Sequence, residues 1–347
     1  MNARVKTIVA NTNVTENGGK QNISTKLINS EAKITGISTG TANMIKCAGI
    51  TEKDKVVIIT DRETLKVGEG IKTAAEAAGA TVQFIMMEDL GQRPLTFLPP
   101  EVEGKIRELN PTVSFLAATA QPGELGFRKP LIGMLVNEFH VRHVHMPTIT
   151  NEVAGGEAMC ANYDEVRRIT HAVLDVVKTA KTIRVTTKMG TDLTAEFDHT
   201  GKNLTWHAAD GDLTKQGTFS NLPDGEDFTT PLNVNGKFVT TLLGDHFASK
   251  YGVLKNPVTI EIKDGYAVSV SCKNKELKAE ILSYLKNGEN TDRVGEFAIG
   301  TNVNVTHFIG NMLADEKAAG VHIAFGTRLG TKPEQSGRSA RRSIATW

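Results

Sequence analysis

The chain has 347 residues, enough for two domains with cores of their own. Lysine plus arginine total 40 and aspartate plus glutamate 39, for a net charge of +1, and aromatic residues make up only 5%. That balance gives no electrostatic or stacking argument for nucleic acid or an anionic membrane as partner. The three cysteines, Cys47, Cys160 and Cys272, form no CxxC pair, which points to reduced thiols rather than a disulfide framework or a zinc ribbon. No run approaches the roughly 20 apolar residues of a membrane span, and none near the start suits a signal peptide. The expectation is a cytoplasmic protein with neither nucleic acid nor membrane as partner.

Residues 1–28 read as a flexible, polar lead-in. A helical stretch runs from Asn29 to Cys47, ending near Gly49. Val56–Thr60 (VVIIT) is a short apolar run of the kind buried in parallel sheets. Helical spacing follows over Val67–Ala78, then a strand at Val82–Met87 and a helix opened by Pro99-Pro100 and running to Leu109. Val113–Ala117 is a third strand, Pro130–Phe139 a helix, and Val141–Met146 a fourth strand. Two more helices are expected over Asn151–Cys160 and Asp164–Thr179. The series is βαβα, so residues 29–180 should form an α/β, Rossmann-like domain with a parallel sheet.

Near Ala180 the pattern changes. Strand-like segments dominate from Lys181: TIRVTTK, LTAEF, GKFVTTLL and PVTIEIKDGYAVSVSC, the last with Asp264-Gly265 as a hairpin turn. One helix, Lys275–Leu285, interrupts them. Residues 181–347 are therefore expected to form an α+β, barrel-like domain.

Four side chains in that second half carry the chemistry. Glu226 lies in NLPDGEDFTTP, Glu296 in DRVGEFAIG, and Glu316 and His322 in NMLADEKAAGVHIAFG. Glu226, Glu296 and His322 each have a plain structural reading: a solvent-facing turn acid, a partner for Arg293 and a hydrogen-bonded core histidine. Taken together they are better explained by a shared positive centre, because carboxylates beside apolar strands are costly without one. The simplest such centre for three carboxylates and an imidazole is one divalent metal ion, or two.

Other patterns are weaker. His143 and His145 alternate on one strand and share a face, with a structural or substrate-contact role as the plainer reading. Gly36-Ile37-Ser38-Thr39-Gly40 matches GxSxG but lacks the preceding strand that a nucleophile elbow needs. There is no GxGxxG, Walker A loop or HExxH. Trp206, His207, Asp210 and Asp245-His246 flank the acidic loops.

The order and spacing of NLPDGEDFTTP, GEFAIGTN and GNMLADEKAAGVHIAFG resemble the metallo-aminopeptidase family typified by aminopeptidases T and S. The resemblance covers roughly Val56 to Gly337 and is most specific from Asn221 to Gly326. It implies an α/β N-terminal domain, a C-terminal domain with two divalent metals (Zn, Co, Mn or Mg), peptide substrates cut at the N-terminus, and a homodimer. By motif, Glu226 resembles a ligand of one metal, Glu296 the bridging carboxylate, Glu316 an acid at the centre acting as ligand or base, and His322 a ligand of the second metal. Catalytic roles thus fall to Glu296 and Glu316.

The chain departs from the family at its end. The family closes with a His-any-Asp strand, whereas here SGRSARRSIATW stands in that place and no His or Asp follows His322. Three explanations compete: a degenerate, inactive site in a scaffold or binding protein, a site for a single metal, or a frameshifted tail. In support of the last, codons for Ser-Ile-Ala-Thr-Trp read two bases along can give His-Arg-Asp-Val. A sister branch of the resembled fold cleaves hydroxypyridine rings with one iron, with a histidine where this chain has Glu296. A carboxylate there favours hydrolytic over iron–oxygen chemistry.

Overall fold

The computed structural model describes residues 6–9, 23–200, 204–244 and 246–326. In chain order its elements are β1 (Lys6–Val9), α1 (Ile23–Ala48), β2 (Lys55–Thr60), α2 (Leu65–Ala77), β3 (Thr81–Met86), α3 (Pro100–Leu109), β4 (Val113–Ala118), α4 (Leu125–Ile132), β5 (Arg142–Pro147), α5 (Asn151–Ala154) and α6 (Tyr163–Val177). There follow β6 (Thr182–Thr186), β7 (Asp192–Glu196), β8 (His207–Ala209), β9 (Phe219–Asn221), β10 (Glu226–Thr229), β11 (Asn233–Thr240) and α7 (His246–Tyr251). The last are β12 (Val258–Lys263), β13 (Tyr266–Ser271), α8 (Lys275–Leu285), β14 (Val294–Gly300), α9 (Met312–Asp315) and β15 (Gly320–Phe325).

These elements divide into two units, each discontinuous in sequence. One comprises 17–167 with 211–224, the other 1–16, 168–210 and 225–347. The sequence places the change of style near residue 180, at the end of α6; the division by packing runs through α6, at Arg167/Arg168.

The first unit is built on the parallel sheet that the βαβα pattern predicts. Its strand order is β3-β2-β4-β5-β9, all parallel. The Val- and Ile-rich β2 and the largely apolar β4 are buried along almost their whole length, as strands covered on both faces must be. Strand β9 was not expected: three residues from far along the chain complete the sheet edge beside β5. Two helices also differ from expectation. The segment expected as a helix over 130–139 begins earlier, at Leu125, so that Pro130 lies inside α4, and the chain then widens into a π-helical turn over Gly133–Glu138. The helix expected over 151–160 stops at Ala154, before the helix-weakening pair Gly155-Gly156.

The packing of α5 also explains the GxSxG pattern. A Cβ on Gly36 would lie 2.7 Å from the Gly155 carbonyl oxygen, and one on Gly40 would lie 1.8 Å from that of Ala154. The two glycines sit one helical turn apart on α1 and let the end of α5 pass against its backbone. They serve a helix crossing, and Ser38 between them is not a nucleophile on an elbow.

The second unit holds two sheets. The six-stranded one has the order β1-β6-β7-β11-β12-β13, antiparallel except for β1 beside β6. Its Asp264-Gly265 hairpin turn has positive φ at both residues, as that dipeptide signals. The expected lead-in therefore contributes a strand at 6–9 and opens α1 at 23–28; the rest of it lies outside the described residues, as does the divergent tail. The four-stranded sheet runs β15-β14-β10-β8, antiparallel throughout. Helix α8, capped by Asn274, buries Leu277, Ile281 and Leu285 on one stripe. The same core takes Phe297, Ile299, Val321, Ile323 and Phe325 from one face of the four-stranded sheet. The opposite face carries the candidate site.

Candidate metal centre

Strand register brings the predicted side chains together. Glu226 opens β10 opposite Gly300 of β14, and Ala298 of β14 stands opposite His322 of β15. Glu296, two residues before Ala298, shares its face, because side chains alternate along a strand. A bulge at Gly295 resets that alternation just before Glu296. Glu226, Glu296 and His322 thus project from three strands on the face away from the core, around the small residues Ala298, Gly300 and Gly320. Gly225 sets the start of β10: its N–H donates to Ala209 O at 3.1 Å, its carbonyl accepts from Thr301 N–H at 2.8 Å, and its φ of 124° suits only glycine.

Glu316 and an unforeseen fifth residue, Lys317, arrive from the loop between β14 and β15. That loop is tied down by Asp315, a fully buried carboxylate that accepts backbone N–H bonds from Ile309, Gly310 and Asn311 at 2.8–3.0 Å. Asn311 caps the short α9. The returning chain then crosses β14 so closely that a Cβ on Gly300 would lie 1.9 Å from the Ala318 carbonyl oxygen. This crossing delivers the Lys317 ammonium, 2.6 Å from Glu226 Oε1 and 2.9 Å from Glu316 Oε1, with the lysine 1% exposed.

His322 Nε2 lies 3.4 Å from Glu226 Oε2 and 3.9 Å from Glu296 Oε1. Burial pushes its pKa down to about 4, with Lys317 adding to the shift and Glu226 opposing it, so the imidazole is neutral at pH 7. Glu226 Oε2 is buried and accepts no hydrogen bond.

Next in sequence, Asp227 points to the opposite, core face of β10, opposite Ile299. Neither of its oxygens is hydrogen bonded, and burial, followed by the neighbouring Glu226 and Asp210 carboxylates, pushes its pKa up to about 8. Period-two alternation through GEDFT was the available signal for this residue.

The flanking residues divide. Trp206 packs on Phe197 and Phe297 at the core, His207 stacks on Phe228, and Asp210 meets His171 at 2.9 Å. His246 lies against Phe247 and Tyr284, and Asp245 lies outside the described residues. His143 and His145 belong to the first unit. They bond to each other at 3.2 Å, and His143 also meets Ser114 at 2.7 Å, all deep in the parallel sheet. Burial pushes His143 down to about 3. That is the structural role.

A family model described as thermophilic metalloprotease (M29) matches residues 152–340, over half of the chain, and the chain belongs to that family. No curated protein matches by sequence. Among solved structures, the chain is similar to 2,5-dihydroxypyridine dioxygenase from Pseudomonas putida KT2440, with a TM-score of 0.62 and 15% identity over 85% of this chain and 88% of that one. It is likewise similar to wild-type AmpT from Thermus thermophilus, with a TM-score of 0.58 and 17% identity over 84% and 85%. At such identities both likenesses are of fold.

Membership in a metalloprotease family implies divalent metal ions. Among the described residues no group of three or more His, Cys, Asp or Glu side chains is arranged so as to hold a metal ion. The chemistry of the donors nonetheless suits one. Carboxylate oxygen and neutral imidazole suit zinc, manganese or cobalt. Tetrahedral bonds of about 2.1 Å set ligands about 3.4 Å apart, which is close to the His322 distances. The orphaned Glu226 Oε2 is an acceptor that a cation satisfies. Among the described residues, no helix is long and apolar enough to cross a membrane.

Proposed function

We propose that this chain is a metal-dependent aminopeptidase that removes N-terminal amino acids from peptides. The observation that carries the reading is the convergence of Glu226, Glu296 and His322 on one sheet face, with Glu316 held beside them by Lys317. In this reading Glu226, Glu296 and His322 hold the divalent ion. When bound, that ion supplies Lewis-acid polarisation of the scissile carbonyl and lowers the pKa of water.

The remaining work belongs to the protein. Glu316 keeps 19% of its side chain exposed while Lys317 fixes one of its oxygens. It is therefore positioned to take a proton from the attacking water and return it to the leaving amine nitrogen. Glu316 and Glu296 keep 19% and 25% of their side chains exposed, so a carboxylate edge stays open to a peptide's free α-ammonium, a cation that an internal peptide bond does not bring; that local contact would select the chain terminus. Bond cleavage then releases one amino acid and a peptide shortened by one residue.

The test is release of nitroaniline from amino-acid anilides by the full chain with zinc, cobalt or manganese. Metal-dependent turnover that falls at least about 100-fold in Glu296→Gln supports the proposal. Turnover unchanged by that substitution would reject the assignment of Glu296. No turnover and no bound metal would leave a scaffold or binding protein. Oxygen uptake with 2,5-dihydroxypyridine would move the chain to ring-cleavage chemistry.

A further inference from the structure

The number of ions follows from the place of Lys317, an inference that rests on the metallopeptidase reading. The two oxygens of Glu226 face two different cation positions. Oε1 meets the Lys317 ammonium at 2.6 Å, and the same ammonium meets Glu316 Oε1 at 2.9 Å. Oε2 instead faces His322 Nε2, is buried, and accepts no hydrogen bond. The first position is filled by the protein itself; the second is set for an ion.

We infer that Lys317 is a built-in replacement for one ion of a two-ion centre, so that the site takes a single divalent ion, held by Glu226, Glu296 and His322.

Charge supports this count. Three carboxylates and one ammonium sum to two negative charges, which one divalent ion neutralises. A second ion would leave two positive charges in a site whose lysine and histidine side chains are each only 2% exposed. Uncompensated charge in such a place is strongly disfavoured. The donors give the same answer. A second ion would need Glu226 Oε1 and Glu316 Oε1, and the ammonium already lies between them. The lysine is also anchored at its backbone. The Lys317 backbone is fixed where the chain crosses Gly300, and its carbonyl accepts from Asn302 N–H at 2.9 Å.

The inference is tested by equilibrium dialysis of the full chain against zinc alone and manganese alone, with bound ion counted by elemental analysis. Wild type should hold one equivalent per chain. Lys317→Arg, which keeps the charge, should also hold one. Lys317→Met, which removes it, should take up a second equivalent. Two equivalents in the wild type would overturn the inference while leaving the metallopeptidase reading intact, as would a folded Lys317→Met chain that stays at one. No bound ion in the wild type, even at millimolar free metal, would sink both. Should the methionine variant fail to fold, the wild-type and arginine counts still decide.

Discussion

Replacing Gly300 by alanine tests the crossing that builds the site. The added Cβ would lie 1.9 Å from Ala318 O, 2.8 Å from Ala318 C and 3.0 Å from Lys317 C. Contacts under 3.0 Å essentially never occur for a real Cβ, so the chains must separate by more than 1 Å. Neither side yields cheaply. Gly300 is paired with Glu226 on one side and Gly320 on the other, and the opposing atoms are backbone. Overpacking that shifts backbone costs about 1–3 kcal/mol, and drawing Lys317 away from its carboxylates adds the cost of exposing a broken buried pair. We expect a loss of about 3 kcal/mol or more, which lowers Tm by about 6–12 °C for a unit of this size. Gly104 is the internal control. It is exposed in the middle of α3, and a Cβ there meets nothing within 4 Å. Gly104→Ala should therefore stabilise by about 0.5–1 kcal/mol through helix propensity alone. Thermal unfolding of both variants, followed by circular dichroism, measures two shifts of opposite sign. A Gly300→Ala protein as stable as wild type would refute the reasoning.

Further predictions concern the buried charges. In the first unit Arg93 pairs with Asp61 and Glu124, all three nearly inaccessible, with Arg93 Nε 2.7 Å from Glu124. Burial pushes both carboxyls up, but hydrogen bonds outweigh it, from Thr119, Thr64 and Arg93 on Asp61 and from Arg93 and Gln121 N–H on Glu124, and hold both below their usual range. Stability from this triad is therefore fully present above the unfolded carboxylate pKa of about 4 and is lost as pH falls through the depressed folded values. Arg93→Met should cost about 3–5 kcal/mol at pH 7 and less as pH falls below about 4, where the unfolded chain's acids protonate; urea titrations that give equal costs at pH 7 and pH 3 would contradict this. Asp315→Ala strips three backbone donors of their acceptor, at about 1 kcal/mol each. Limited proteolysis should then cut near residues 309–311, and a protection pattern like that of wild type would count against the tie.

The parallel half of the molecule was legible because β2 is a continuous Val and Ile run and the strands after it alternate with helices of ordinary length. What escaped was non-local. Strand β9 is three residues long and pairs with a strand more than 70 residues earlier, a contact that no local pattern encodes. The early start of α4 escaped because proline is disfavoured inside a helix, yet Pro130 lies in the interior of α4. At the site, Glu226, Glu296, Glu316 and His322 stood out as polar residues against apolar strands, and the structure brings all four within reach of one another through Lys317 and His322. Lys317 itself was passed over because lysines usually face solvent. Its signal was a DEK triplet inside an otherwise small and apolar segment followed at once by a buried strand. Asp315, one residue before Glu316, accepts backbone N–H bonds and holds the loop.

The dispersal of each unit along the chain bears on how the protein is made. Residues 211–224 return to the first unit after the second has already begun, and β9, within that excursion, closes the edge of the parallel sheet. During synthesis that sheet stays incomplete until the ribosome has passed residue 221, however early its other four strands emerge. For the same reason a gene fragment cut near residue 180 would leave the outer side of β5 without a neighbour, a ready template for sticking to other chains.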